Sequence, residues 1–326
     1  MLMYHHPELD RRLKAGDDTP LMTDAKCEDL VGQYARAARV ARNAGFDFID
    51  IKACHRYWLN ETLAAKTRPG PYGGSFANRV KLFHMIVDAI RREVGPDFLL
   101  GSRLSAYDGV PYEEDVATKR PGLKGFGRPS LYETPYRWSW GASEADPLSP
   151  DLAEPIALIG QLKAKGLTVF NMSAASPYSN PHLSRPTDSP PVDGYQPAGD
   201  PLREVAMHFR FAASVKAAHP DVAVVGTGYS YLQRFKAHAA EANLAAGRVD
   251  FVGLGRAILA FHDEARQLVE KGEATRDRGR VVCTGDSACT TGPRLGLRSG
   301  CIYDPYYVET NREINVKLAA LGLTKK

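Results

Sequence analysis

Apolar residues recur along this chain at the spacing of a helix face, and each such segment is followed by a short apolar run. The first helix is predicted to begin at Thr23, a good N-cap residue, and to stop at Gly45, a residue that suits a helix C-terminus. Residues 46–51 then predict a strand. Helix and strand together form one unit of the pattern.

The same unit recurs along the rest of the chain. The predicted pairs are a helix through Phe83, Val87 and Ile90 that ends near Gly95 with a strand at 98–104, then 152–165 with 167–171, 202–218 with 222–225, and 231–246 with 249–254. A last helix is predicted over 257–271. Strands rich in Val, Ile, Leu and Phe and separated by helices indicate a parallel sheet buried on both faces. The predicted fold class is therefore α/β, of the TIM (β/α)8 barrel type.

Two connections are too long for simple turns, and both follow a strand. They cover 106–150 and 173–200, and both carry several aromatic residues. Loops of this length in a compact domain are usually functional or disordered. A lid over an active face and an ordered surface excursion with a small core of its own are both compatible with this pattern.

The end of the first strand carries the most reactive side chains. Lys52, His55 and Tyr57 fall within six residues, where the strands of an α/β barrel project catalytic groups into one pocket. Lysine would supply charge, histidine a hydrogen bond and tyrosine a proton. Structural roles for the same residues remain open at this point.

Composition and charge exclude several classes of protein. The chain has 326 residues, 44% of them hydrophobic and 25% charged, with a formal net charge of +4. The basic residues are dispersed, so no nucleic-acid partner is expected. The apolar runs are strand-sized, so no membrane partner is expected either. Five cysteines, an odd number, suit a reducing compartment and a cytoplasmic location.

Several further motifs follow one another along the chain: AGFDFIDI at 44–51 with HRY at 55–57, YGGSFANR at 72–79, GSRLS at 101–105, GTGYS at 226–230 and DFVGLGR at 250–256. In this order they resemble the motifs of the old yellow enzyme family, the FMN-dependent NADH:flavin oxidoreductases. The resemblance implies one barrel domain over 1–326 with a cysteine-containing tail at 281–326. It also implies that the chain lacks the first three strand–helix units of the barrel and corresponds to the later two-thirds of a family member.

The resemblance implies a flavin site with two parts. Arg103 would lie beside the pyrimidine edge of FMN and stabilise negative charge on the reduced ring. Gly226, Gly228 and Gly255 would let backbone amides approach the FMN phosphate, and Arg256 would neutralise it. Glycines that merely form tight turns remain the alternative.

The implied activity is ene reduction, with NAD(P)H as reductant and an α,β-unsaturated carbonyl or related conjugated small molecule as substrate. Tyr57 matches the family's proton donor and His55 the second residue that anchors the substrate. Lys52 replaces the usual first histidine, and Arg56 replaces a glycine and would crowd the pocket. The alternatives are a Schiff-base lyase that uses Lys52 and a catalytically silent barrel fragment.

Three cysteines near the C-terminus resemble the iron–sulfur branch of the family. Cys283, Cys289 and Cys301 keep the last spacing of its four-cysteine motif, but Asp286 lies where another ligand is missing. Because clusters normally use four thiolates, a [4Fe-4S] cluster is not expected and no metal is predicted. Unpaired sheet edges would need cover from another chain, so a homo-oligomer is a further expectation.

Overall fold

The structure of the chain is a computed structural model that describes residues 1–271, 282–304 and 307–324. The strands are β1 (Phe48–Ala53), β2 (Leu99–Ser105), β3 (Tyr112–Glu114), β4 (Gly127–Pro129), β5 (Leu167–Ser173), β6 (Ala223–Gly226) and β7 (Phe251–Val252). The helices are α1 (Pro7–Leu13), α2 (Asp24–Asn43), α3 (Trp58–Ala64), α4 (Phe76–Val94), α5 (Ala153–Ala164), α6 (Pro181–Ser184), α7 (Leu202–Ala218), α8 (Lys236–Ala245), α9 (Arg256–Ala260), α10 (Glu264–Lys271), α11 (Ala288–Arg294) and α12 (Val308–Ala320). None of these helices combines the length and the apolar character needed to cross a bilayer.

The chain divides into two compact units. The first unit comprises Met1–Pro111, Ser130–Ser176 and Phe211–Val225, and the second comprises Tyr112–Pro129, Pro177–Arg210 and Gly226–Lys326. The single domain predicted over 1–326, with its tail from 281, stays a prediction. Parts of that tail, at 281, 305–306 and 325–326, lie outside the described residues.

The first unit is built on parallel strands in chain order. β1 pairs with β2, β2 with β5, and β5 with the first residues of β6, all in parallel. Sequential parallel strands joined by helices are the arrangement that the α/β barrel pattern predicts, so the predicted fold class is confirmed.

Two long helices of the first unit bury one face each. Thr23 caps α2, its side chain accepting a hydrogen bond from the Lys26 N–H, and Gly45 ends the helix with a left-handed φ of 86°. The buried positions of α2 and α4 recur every three or four residues, as in helices that cover a sheet. The apolar ones are Cys27, Val31, Ala35 and Ala38 in α2 and Val80, Leu82, Phe83, Ile86, Val87, Ile90 and Val94 in α4.

The second unit contains β7, the hairpin of β3 and β4, and a small C-terminal core. The Gly253 N–H donates to the carbonyl oxygen of Gly226, the last residue of β6, at 2.8 Å. β3 and β4 pair antiparallel within the first long connection. Ala288, Ile302, Ile314 and Leu318 form the core that joins α11 and α12.

Several predicted elements need correction. The predicted helix over 257–271 is broken at 261–263 into α9 and α10, and the predicted helix over 231–246 begins as a 3-10 turn. The predicted strand over 249–254 shortens to two residues in β7. Helices α1, α3, α6, α11 and α12 and strands β3 and β4 were not predicted, because they lie outside the repeated helix–strand pattern.

We expect Phe83→Ala to lower the free energy of unfolding by about 3–5 kcal/mol, because the substitution removes buried apolar area and leaves a cavity. Phe83 is 0% exposed on α4, whereas Phe46, the matched control, is 64% exposed. Urea denaturation followed by circular dichroism measures both variants. Equal losses for Phe83→Ala and Phe46→Ala would contradict this packing.

Candidate active site

A tight turn after β1 presents the first candidate residues. His55 and Arg56 both adopt left-handed backbone, with φ of 64° and 55°, and α3 begins two residues after Arg56, at Trp58. Left-handed backbone is costly for residues with a side chain, and such strain is concentrated at functional sites. The turn gives Tyr57 a side chain that is 47% exposed, while Cys54 is fully buried.

The three residues predicted from this strand end each have a defined neighbour. The Lys52 Nζ lies 3.2 Å from the centroid of the Tyr57 ring, which is a cation–π contact. The His55 Nε2 lies 2.8 Å from the Ser173 Oγ at the end of β5. Lys52 and Tyr57 therefore form one pair, and Ser173 orients the ring of His55.

A row of polar side chains crosses three strands beside this turn. Lys52 on β1 is paired in register with Arg103 on β2, and Arg103 with Asn171 on β5. The Arg103 Nε and the Asn171 Oδ1 are buried, and neither has a hydrogen-bond partner among the described residues. Because buried donors and acceptors are normally paired, these two atoms mark a place for a polar ligand.

Arg56 does not crowd the candidate site, contrary to the sequence-based expectation. Its side chain is 5% exposed and lies 3.7 Å from Glu61, and its Nη2 donates to the Gly109 carbonyl oxygen at 3.1 Å. The Arg56 backbone N–H donates to the Asn60 Oδ1 at 2.7 Å. Arg56 thus ties α3 to the start of the first long connection.

A buried carboxylate continues this network. Asp108 is 0% exposed and accepts hydrogen bonds from the Asn60 Nδ2 at 3.0 Å and the Ser105 Oγ at 2.6 Å. Burial raises the pKa of Asp108, and Arg56 opposes that rise. Burial also raises the pKa of Glu61 to about 7, again against the effect of Arg56. The network fixes the backbone on which Tyr57 lies.

The predicted phosphate residues all lie in the second unit. A side chain at position 226 would meet Val249 and Tyr229, and Gly228 has a left-handed φ of 96°, so packing and turn geometry explain these two glycines. Gly255 faces open space, where no neighbouring atom lies within 4 Å of an added Cβ. The Arg256 Nη2 donates to the Pro186 carbonyl oxygen, and its Nη1 is buried without a partner in the described segments.

The three C-terminal cysteines lie on one cavity of the second unit. Cys283, Cys289 and Cys301 line it together with Arg256 and Asp286. Burial raises the pKa of the Cys283 and Cys301 thiols. Among the described residues, no group of three or more His, Cys, Asp or Glu side chains is arranged to hold a metal ion.

Comparison with known proteins shows which family part of the chain is similar to. The sequence model of the NADH:flavin oxidoreductase / NADH oxidase family matches residues 9–122. A probable N-methylproline demethylase of Rhizobium meliloti (strain 1021) is 25% identical over 300 residues, which are 90% of this chain and 35% of that protein. The 12-oxophytodienoate reductase 2 of Arabidopsis thaliana is 40% identical over 96 residues, or 29% of this chain and 25% of the reductase.

The resemblance to the old yellow enzyme family is confirmed for the part of the chain that the NADH:flavin oxidoreductase / NADH oxidase model matches, residues 9–122. The fold of the chain is similar to that of 2-naphthoyl-CoA reductase in complex with 2-naphthoyl-CoA, with a TM-score of 0.60 at 17% identity, over 89% of this chain and 36% of the reductase. The matched stretches cover about a third or less of the length of these relatives.

Two residues near the candidate site, Asn171 and Ser173, were not predicted from the sequence. Both are polar residues at alternate positions near the end of an otherwise apolar strand, LTVFNMS. Alternate residues of a strand point to the same face, so two polar residues there signal a face that leaves the core. This two-residue spacing is the sequence pattern from which both residues could have been predicted.

An aromatic cluster orders the second long connection. The His182 Nδ1 lies 2.7 Å from the Tyr195 hydroxyl, and the rings of His182 and Tyr112 are 4.4 Å apart. Burial lowers the pKa of His182 to about 4. These residues lie in the second unit and give the connection a small core of its own.

We expect the free energy of unfolding to fall as the pH drops from about 6.5 to about 4, because the unfolded chain protonates His182 first. The full loss from this ring is on the order of 3 kcal/mol. His182→Gln should reduce this pH dependence in urea titrations between pH 7.5 and 4.5. His262→Gln, at a ring that is 62% exposed, is the control, and an equal pH dependence in wild type and His182→Gln would refute the assignment.

Proposed function

We propose that this protein is an FMN-dependent oxidoreductase that transfers a hydride from NAD(P)H, through the flavin, to an α,β-unsaturated carbonyl or related conjugated compound. The observation that carries the proposal is the pair of buried, unpartnered polar atoms, the Arg103 Nε and the Asn171 Oδ1, beside the turn that holds His55 and Tyr57. The names of the relatives support the same class of reaction.

The residues of the polar row fit the edge of a flavin ring. A pyrimidine edge presents carbonyl oxygens and an N–H group, and the row offers a charged donor in Arg103 and an acceptor in the Asn171 Oδ1. The positive charge of Arg103 would stabilise negative charge on the reduced ring. Bound FMN would supply the hydride-transfer chemistry, accepting a hydride from NAD(P)H and giving one to the β-carbon of the alkene.

The strand-end residues would bind the substrate and move a proton. His55, oriented by Ser173, would donate a hydrogen bond to the carbonyl oxygen of the substrate. The Tyr57 hydroxyl would donate a proton to the α-carbon, and its exposed side chain would recover that proton from solvent. The ammonium of Lys52 on the Tyr57 ring would stabilise negative charge at the carbonyl oxygen or on an anionic substrate.

The remaining parts of the proposal rest on the sequence. The FMN phosphate is proposed to bind at Gly226, Gly228, Gly255 and Arg256. Two observations support this: Gly255 faces open space, and the Arg256 Nη1 has no hydrogen-bond partner among the described residues. A small molecule is the proposed substrate partner. The cytoplasmic location, the homo-oligomer and the lack of a cluster at the cysteines stay predictions.

Tyr57→Phe should retain bound flavin and its reduction by NAD(P)H but lose turnover of an enone by about 100-fold or more, because the proton donor is removed. Stopped-flow absorbance separates reduction of the flavin from its reoxidation by 2-cyclohexenone. Tyr132→Phe, which removes a hydroxyl elsewhere in the first unit, is the control and should match wild type. Equal reoxidation rates for Tyr57→Phe and wild type would exclude Tyr57 as the acid.

The Schiff-base alternative makes a different prediction for Lys52. A nucleophilic lysine must be neutral, whereas the contact with the Tyr57 ring stabilises the charged ammonium. We therefore expect no adduct on Lys52 after borohydride treatment with 2-cyclohexenone or pyruvate, measured by peptide mass spectrometry. Lys52→Met should instead raise the KM for an enone by about 10-fold, as the loss of one charged contact does. A trapped adduct at Lys52 would favour the lyase.

A further inference from the structure

The residue before Tyr57 lies in a cluster of ionisable side chains that the proposed reaction does not use. The Arg56 guanidinium faces two carboxyl groups, Glu61 on α3 and Asp108 in the first long connection. The Arg56 Nη1 lies 3.7 Å from the Glu61 Oε1 and 3.5 Å from the Tyr4 hydroxyl. With both carboxyl groups ionised, the cluster would therefore carry an excess negative charge in a largely buried place.

The other ionisable groups of the cluster supply no second positive charge. Burial raises the pKa of Tyr4 well above its usual range and that of Tyr136 to about 12, so both hydroxyls are neutral near pH 7. Burial, with the charge of Arg56 acting in the same direction, holds the pKa of His6 well below its usual range. Among these described side chains, Arg56 is therefore the one positive group.

Hydrogen bonds distinguish the two carboxyl groups. Asp108 accepts from the Asn60 Nδ2 at 3.0 Å and from the Ser105 Oγ at 2.6 Å, and such donors stabilise a carboxylate. The Glu61 Oε1 is buried and has no hydrogen-bond partner within the described ranges, which makes its negative charge costly. Burial raises the pKa of Glu61 to about 7, with Arg56 opposing the rise and Asp108 adding to it. Glu61 is therefore the carboxyl group that binds a proton near neutral pH.

Glu61 also contacts the backbone of the turn that carries Tyr57. The Glu61 backbone N–H donates to the Tyr57 carbonyl oxygen at 2.9 Å, at the start of α3. Arg56 holds the same turn, because its Nη2 donates to the Gly109 carbonyl oxygen and its backbone N–H to the Asn60 Oδ1. Left-handed backbone is costly for an arginine, so the turn persists only while these contacts hold. A change in the charge of Glu61 therefore acts on the position of Tyr57.

We propose that Glu61 is a pH-dependent positioning residue for Tyr57. With a proton on Glu61, the charges of Arg56 and Asp108 balance, and the cluster holds the observed turn, here called the closed turn. Loss of this proton leaves an unbalanced negative charge, which is relieved when the turn opens and water reaches Glu61. The catalytic part of this inference rests on the proposed function, in which Tyr57 donates the proton.

The direction of the pH effect follows from proton linkage. Glu61 binds a proton more tightly in the closed turn than in an open turn, where its pKa would return to the usual value of about 4.3. Protons therefore stabilise the closed turn, and this stabilisation is lost as the pH rises from about 4 to about 7. Each unit of difference between the two pKa values changes the ratio of closed to open turn by about tenfold.

Three measurements on the full chain test the proposal, and the first two need no flavin. Hydrogen exchange followed by mass spectrometry reports opening of the peptide at 54–64, after correction for the intrinsic pH dependence of exchange. Carbon-13 NMR of labelled glutamate carboxyl groups reports the titration of Glu61. Stopped-flow absorbance of the flavin-loaded protein reports flavin reduction by NADPH and reoxidation by 2-cyclohexenone. The variants are Glu61→Gln and Asp108→Asn, and the control is Glu133→Gln, at an exposed glutamate of the same unit.

In wild type, exchange at 54–64 should rise from pH 5.5 to pH 8, and the kcat for reoxidation should fall by about 10-fold at an unchanged KM, with no matching change in flavin reduction. Glu61→Gln, which stays neutral, should behave at pH 8 as wild type does at pH 5.5. One carboxyl resonance should titrate near pH 7 and be absent in Glu61→Gln. Asp108→Asn should lower the midpoint of that resonance, because a like charge is removed. Glu133→Gln should match wild type throughout.

The other outcomes are distinct. If exchange and NMR behave as expected but no flavin binds or no enone is reduced, the pH-dependent turn stands and the proposed function fails. If the enone is reduced with Tyr57 as the donor but Glu61→Gln keeps the pH dependence of wild type, the proposed function stands and the inference is overturned. Faster exchange in Glu61→Gln at every pH, as a purely structural glutamate would give, also overturns it. The absence in wild type of any glutamate that titrates above about pH 6 overturns it without a variant.

Discussion

The register of the parallel strands decides which side chains of this protein act together. Paired residues of a parallel sheet point to the same face, so Lys52, Arg103 and Asn171 form one row although they come from distant parts of the chain. A shift of one residue would turn each of them to the opposite face. That face carries Ile51 and Phe170, which are buried. The apolar face therefore fixes the register, and the register assembles the polar row.

The turn after β1 shows how a departure from the family pattern is accommodated. Glycine adopts left-handed backbone freely, whereas Arg56 adopts it with a φ of 55° at a cost of about 1–3 kcal/mol. The arginine offsets this cost with contacts that glycine lacks, since its guanidinium lies near Glu61 and donates to the Gly109 carbonyl oxygen. The buried side chain of Arg56 therefore stabilises a backbone conformation that glycine would adopt without strain. Tyr57 follows directly at the end of this turn.

Local patterns in the sequence were sufficient for the repeated units but not for the contacts between distant segments. Helix α7 was predicted at its observed bounds, and Thr23 and Gly45 end α2 as their chemistry requires. The break between α9 and α10 was missed because apolar periodicity continues across it. The partners of Arg56 were missed for another reason: they come from α3 and the first long connection, and only the folded backbone brings them together. Asn171 could have been predicted, because its two-residue spacing from Ser173 is a pattern visible in the local sequence.

Some buried charged side chains of the second unit form an ion pair, and others have no carboxylate partner. Lys236 and Glu264 are 2% and 0% exposed and form an ion pair, which compensates each for the loss of water. Arg185 and Arg256 have no carboxylate bonded to them among the described residues, and both keep unpartnered nitrogens. A buried charge without a carboxylate partner costs more stability than a paired one, so the two arginines reduce the stability of this unit where the ion pair between α8 and α10 does not.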